Sequence, residues 1–194
     1  MIFVSIATSL LVSYARTLFF RPLSLLVITR EVFLAVYLLL ALAFLAVRKS
    51  ARVFTRRKRD YLYTILGFSA PLLFQSSPFG GIILVGALFE ASGLAFVASA
   101  LLCLNRSFGL APENRGVKTA GVYSLVRHPM YLGYILAEVG FVFDNFSNFN
   151  LIVLMISVLF LLLRLGAEEQ VLGRDRDYRD YSRKTRWKLI PFIY

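Results

Sequence analysis

Apolar residues in this chain come in long blocks separated by short basic runs, and that alternation restricts the fold more than any motif does. Residues 32–47, 61–74, 82–104, 130–143 and 151–163 are such blocks. Segments this apolar belong in a lipid bilayer, where every backbone polar group must be bonded internally, so helices are what they can form. The sequence therefore predicts an all-α integral membrane protein with five membrane-spanning helices, and six if residues 1–20 also cross. In that first stretch Ser5, Ser9, Ser13 and Arg16 make one polar stripe at helical spacing, which suits either packing on a neighbour or lying in the interface.

Pro71 is expected to kink the block at 61–74, and residues 75–81 read as a neutral extracytoplasmic turn. Residues 82–104 are the longest apolar block. The last two blocks are short, since ~20 apolar residues cross a ~30 Å core. They flank the turn-rich stretch 144–150, and so read as a helical hairpin. The polar connection 105–127 and the charged, Tyr-rich tail from Arg164 onward fall on the cytoplasmic side by alternation. One structural domain is expected, with membrane helices in 1–104 and a catalytic, cofactor-binding region in 105–194.

A net charge of +11 raises the question of nucleic acid. Its distribution argues against that partner. Seven of the 22 basic residues lie in 48–59 and eight more in 164–188, both flanking apolar blocks, as in cytoplasmic loops that face anionic headgroups. The lone Cys103 can form no internal disulfide and reads as a small buried hydrophobe. No basic region precedes the first apolar stretch and no small-residue cleavage site follows it, so no removed signal peptide is expected.

Chemistry concentrates in residues 121–134, GVYSLVRHPMYLGY, which hold the only His of the protein. Pro129 suits the first turn of a helix because its missing N–H would be an orphan there. The N–H groups left at that helix start form an electropositive pocket suited to carboxylates or phosphates. Tyr123, Arg127, His128 and Tyr131 surround it with polar tips on apolar bodies. Four more ionisable residues sit in or beside apolar blocks, namely Glu90, Glu138, Asp144 and Arg164, and charge in such a place is costly enough to suggest function. Glu138 lies on the face of Tyr131 and either points at the site or braces the hairpin. Arg164 and Glu168 share a helix face at i, i+4. They are either an interfacial ion pair or an anion clamp beside an acceptor of hydroxyls or an amine.

GVYSLVRHPMYLG, followed some thirty residues later by R-x-x-x-E-E, resembles the isoprenylcysteine carboxyl methyltransferases and, more broadly, the membrane phospholipid methyltransferases. The resemblance covers roughly residues 115–191. It implies a helical membrane enzyme that uses S-adenosylmethionine, releases S-adenosylhomocysteine and encloses the cofactor with its C-terminal part. It implies that Tyr123, His128, Pro129, Met130 and Tyr131 line the cofactor pocket, completed by Glu168 with Glu169 beside it. It further points to Arg115, Gly116, Val117 and Lys118 as cofactor contacts and to Arg164 as the residue facing the methyl acceptor. The acceptor is expected to be lipophilic, isoprenylcysteine-carboxylate-like or another lipid, and to arrive from the bilayer. No metal is implied. In the tail the family's Phe-Gly before an acidic-Tyr pair is absent: Gly173 comes early, and Asp177-Tyr178 follows Asp175-Arg176.

Two other readings fit parts of the pattern. NADPH-dependent sterol-type membrane reductases also carry R-H-P-x-Y-x-G, although an acidic residue commonly follows their Gly, where Tyr134 stands here. A non-catalytic membrane protein leaves the polar residues around one helix start unexplained.

Overall fold

The computed structural model describes residues 39, 42–75, 77 and 82–194. Residues 42–46 are helical. A two-residue strand β1 (Val53–Phe54) follows, then helix α1 (Lys58–Ser69), which passes into a 3₁₀ turn at Ala70–Leu73. Helix α2 spans Ile83–Leu104 and ends in a 3₁₀ turn at Asn105–Ser107. Strand β2 (Glu113–Asn114) and a 3₁₀ turn at Gly121–Ser124 lead to helices α3 (Pro129–Asp144), α4 (Asn148–Leu172) and α5 (Arg176–Lys184).

The architecture is helical as expected, but the number of spans is not. Among the described residues two helices are long and apolar enough to cross a membrane, Ile83–Ser107 and Asn148–Leu172. The block at 61–74 breaks at Pro71 into a 12-residue helix and a 3₁₀ turn. Helix α3, with 16 residues, rises only about 24 Å, short of a ~30 Å hydrocarbon core. Residues 1–20, and residues 32–47 apart from 39 and 42–47, lie outside the described residues.

Among the described residues the longest α-helix is α4, with 25 residues, and not the one in the 82–104 block. It starts earlier than hydropathy suggests because Ser147 caps it, accepting from the Asn150 N–H at 3.0 Å. It also continues two turns past Arg164, so that residue lies inside the helix and not at its end.

Helices α3 and α4 are joined by a tight turn, as a hairpin requires, yet each has its main partner elsewhere: α3 lies along α2, and α4 along α1. Small residues explain the first pair. A Cβ placed on Gly93 would stand 2.5 Å from the Ala137 nitrogen, and one on Gly140 would stand 2.6 Å from the Gly86 carbonyl oxygen. Backbones meet directly there, as membrane helices do when glycines line the seam. Glu138, on another face of α3, accepts from the Ser157 hydroxyl of α4 at 2.9 Å and so braces the hairpin. Asp144 closes α3 as its last residue and does not lie in the turn.

The connection 105–127 is held from both sides. Asn114 pairs with Val53 across the small antiparallel ladder, and the Asn114 amide donates to Asp175 Oδ2 at 2.5 Å. Asp175 is itself the cap of α5, accepting from the Asp177 N–H at 2.9 Å. One buried asparagine therefore ties the basic segment, the connection and the tail helix together.

Candidate functional site

Four elements converge on one cleft of about 710 Å³, its open mouth included. The first turn of α3 brings His128, Met130 and Tyr131. The far half of α4 brings Arg164, Glu168 and Leu172. The connection supplies Phe108, Glu113 and residues 115–118, and α5 supplies Tyr178 and Tyr181.

The wall is built on Glu169. His128 Nε2 lies 2.6 Å from its Oε1, Arg127 Nη1 donates to its Oε2 at 2.6 Å, and the Tyr178 hydroxyl also donates to Oε1. A carboxylate that accepts from an arginine, an imidazole and a phenol together is a strong charge-assisted junction. The chain after α5 then runs beside this junction: the N–H groups of Arg127 and His128 donate to the carbonyls of Trp187 and Lys188 at 2.9 and 2.8 Å. The α3 start is less open to anions than expected, because Pro129 brings no N–H and Tyr131 and Leu132 both donate back to the His128 carbonyl.

A second arrangement faces the cleft. Tyr131 donates its hydroxyl to Glu168 Oε2 at 2.6 Å, while its ring lies 5.2 Å from the Arg164 guanidinium carbon. Phe68 of α1 covers that guanidinium at 4.5 Å, and Arg164 Nη2 donates to the Leu110 carbonyl at 2.9 Å. The arginine thus lies against two rings and is pinned at one edge, which fixes where its charge meets the cleft.

Burial, aided by the nearby Glu168 charge, pushes the Tyr123 phenol well above its ordinary value. Burial raises Tyr178 as well, assisted by Glu169, and pushes Tyr181 up to about 12. These phenols therefore stay neutral donors at physiological pH, and the Tyr181 hydroxyl donates to the Tyr123 carbonyl at 2.6 Å.

Of the residues singled out in the sequence, Arg115, Gly116, Val117, Lys118, Tyr123, His128, Met130, Tyr131, Arg164 and Glu168 all line this cleft. Pro129 and Glu169 do not. Pro129 is fully buried as the first residue of α3. Glu169 follows Glu168 on one helix, about 100° around it, and its carboxylate is taken up by Arg127, His128 and Tyr178. Sequence reasoning did not find Phe108, Glu113, Leu172 or Tyr178 as lining residues. The three-residue spacing of Tyr178 and Tyr181, which puts both on one face of α5, was the available signal.

Residues 79–175 match the family described as Phospholipid methyltransferase. The match is half of the chain and runs from the approach to α2 through the cap of α5. No curated protein sequence matches the chain.

Proposed function

The chain belongs to the phospholipid methyltransferase family, membrane methyltransferases of lipid-type substrates, and on that premise we propose that it transfers a methyl group from S-adenosylmethionine to a lipophilic oxyanion. The acceptor we favour is a carboxylate of the isoprenylcysteine kind. Family membership also weighs against the reductase reading.

The donor set of the cleft fits that cofactor. Glu168 has only one oxygen engaged by a protein donor among the described residues, which leaves an acceptor for ribose hydroxyls or an amino group. Lys118 offers a cation to a carboxylate, Arg115 beside it is held by Glu113 at 2.8 Å, and Leu104, Phe108, Met130 and Leu172 offer apolar contact. Bound S-adenosylmethionine supplies a sulfonium methyl, and S-adenosylhomocysteine is what remains once that methyl has moved.

The observation that carries the reading is the juxtaposition of Arg164 and Glu168 through Tyr131. Arg164 holds the acceptor oxyanion and Glu168 holds the cofactor, with one helical turn between them. A carboxylate acceptor is already ionised, so no general base is needed and alignment with desolvation supplies the acceleration. His128, held by Glu169, serves as wall and donor and shuttles no proton.

Calorimetry with S-adenosylhomocysteine on detergent-purified protein tests this. Binding at micromolar concentration or tighter is expected, weakened by about 1–3 kcal/mol in Glu168→Ala and in His128→Ala, the cost of stranding a buried polar partner. NADPH is expected not to bind. Folded wild type that ignores S-adenosylhomocysteine would sink the proposal.

We also assign the cleft to the cytoplasmic side. The basic segment 48–59, the connection and the tail meet at one end of the helices through the Val53–Asn114 pairing, the Asn114–Asp175 bond and the Arg57–Gln170 bond. Positive charge gathered at one end marks the cytoplasmic face. Single cysteines at Ser50 and Ser182 in a Cys103→Ala background should resist an impermeant thiol reagent in intact cells and react after lysis. Labelling of either from outside reverses the assignment.

A further inference from the structure

The last residues of the chain, beyond the part that borders the cleft, form a small closed turn. The Ile190 carbonyl accepts from the N–H groups of Ile193 and Tyr194 at 3.2 and 3.1 Å, and the Tyr194 carbonyl accepts from those of Leu189 and Ile190 at 2.8 and 3.0 Å. Pro191 takes the second position of this turn and Phe192 the third, with φ of +67°. A turn of that sign at the third position favours glycine, which has no Cβ to strain. Here it holds Phe192, whose 84% exposure is the highest among the described large apolar side chains. Ile193 beside it is 76% exposed. A strained backbone that presents two large apolar side chains outward is costly in water from both ends.

The surroundings say what relieves that cost. Leu189, immediately before the turn, is buried against Tyr131, Leu161 and Leu165, which seats the turn on the seam of α3 and α4. The same stretch of α4 exposes Leu159, Leu162 and Leu163, on the helix long and apolar enough to span. The turn thus continues an apolar surface that lipid would cover. After Asp180 the chain carries no acidic residue but has Arg183, Lys184, Arg186 and Lys188. Trp187 packs against Phe192 with ring centroids 5.4 Å apart and planes tilted by 50°. Arg183 turns back to Asp180 at 3.4 Å; an apolar tip, an indole at its base and an excess of cations over acidic groups around it match the interface of an anionic leaflet.

We propose that residues 187–194 form a hook that inserts into an anionic membrane leaflet, Phe192 and Ile193 among the acyl chains and Arg186 and Lys188 at the headgroups. A second copy of this chain is a poorer occupant, since it would bring the same cations against each other. Insertion also steadies the stretch of chain to which Arg127 and His128 are bonded. The proposal does not depend on the methyltransferase chemistry.

Trp187 is the only tryptophan, so its emission reports on the hook directly. The full chain is reconstituted in vesicles of phosphatidylcholine and phosphatidylglycerol, with acyl chains brominated near the carbonyl end. Trp187 should lose most of its emission to the brominated lipid and little to aqueous iodide. Omitting phosphatidylglycerol should reduce the lipid quenching. Phe192→Gly relaxes the turn, so its thermal unfolding midpoint should hold or rise while lipid quenching falls and iodide quenching increases. Iodide-accessible, lipid-insensitive emission from wild type overturns the insertion. Equal quenching with and without phosphatidylglycerol overturns the anionic preference. Emission that instead changes on diluting the protein at fixed lipid composition assigns the surface to self-association and overturns the hook.

Discussion

Arg164→Lys is expected to leave S-adenosylhomocysteine affinity almost unchanged while kcat/KM for a lipid acceptor falls by roughly 100-fold or more, the scale seen when one preorganised charge donor is lost. Three contacts make lysine a poor substitute. The guanidinium is flat and lies against Phe68 and Tyr131, and one of its edges is committed to Leu110. A lysine ammonium is a compact, strongly hydrated point charge that can neither lie flat against the rings nor hold Leu110 and still present a fork to an oxyanion. Placing this cation on the reactive side of a sulfonium would repel the cofactor, so its charge belongs to the acceptor. Steady-state kinetics with the acceptor varied, alongside calorimetry, separates the two roles. Lost cofactor affinity with unchanged acceptor saturation would move Arg164 to the cofactor half.

Gly133→Val should destabilise the protein by about 3 kcal/mol or more, beyond the usual cost of overpacking because the obstructing atoms are backbone. A Cβ at Gly133 would stand 2.6 Å from the Gly93 carbonyl oxygen and 2.9 Å from the Val97 nitrogen. Neither can rotate aside, so α2 and α3 must separate along their length. Gly166→Ala is the matched control: its Cβ meets nothing within 4 Å, and replacing a helical glycine stabilises by about 0.5–1 kcal/mol. Thermal unfolding in detergent should move in opposite directions for the two variants. A Gly133→Val protein as stable as wild type would show that the seam is looser than these distances require.

That glycine illustrates what a sequence can and cannot disclose. The helix start at Pro129 was legible because its chemistry is local: a residue without an N–H at the one place where none is needed. Gly133, four residues on, has a cause that sits on another helix, and nothing beside it in the chain points to Gly93. The full extent of α4 was obscured for a related reason. Arg164, Glu168 and Glu169 read as the end of an apolar run, whereas the backbone continues because each charge has somewhere to go. Arg164 goes to Phe68, Tyr131 and the Leu110 carbonyl, Glu168 to Tyr131, and Glu169 to Arg127, His128 and Tyr178. Most of the cofactor-side residues came from a recognised pattern and converge in space. The contribution of Tyr178 was hidden, since α5 looks like a solvated basic helix until Asn114 docks its cap.

The uninterrupted course of α4 has a mechanical meaning. Arg164 and Glu168 are separated by one turn of hydrogen-bonded backbone, about 6 Å of axial rise that no loop can lengthen or shorten. Two turns before Arg164, on the same rod, Ser157 is clasped by Glu138. The spacing of the two grips is therefore gauged by the helix, and only its roll and pitch are free to vary. A lesion at Ser157 or Glu138, deep between the helices, would arrive at the cleft as torque. It would swing both grips together and leave their separation intact.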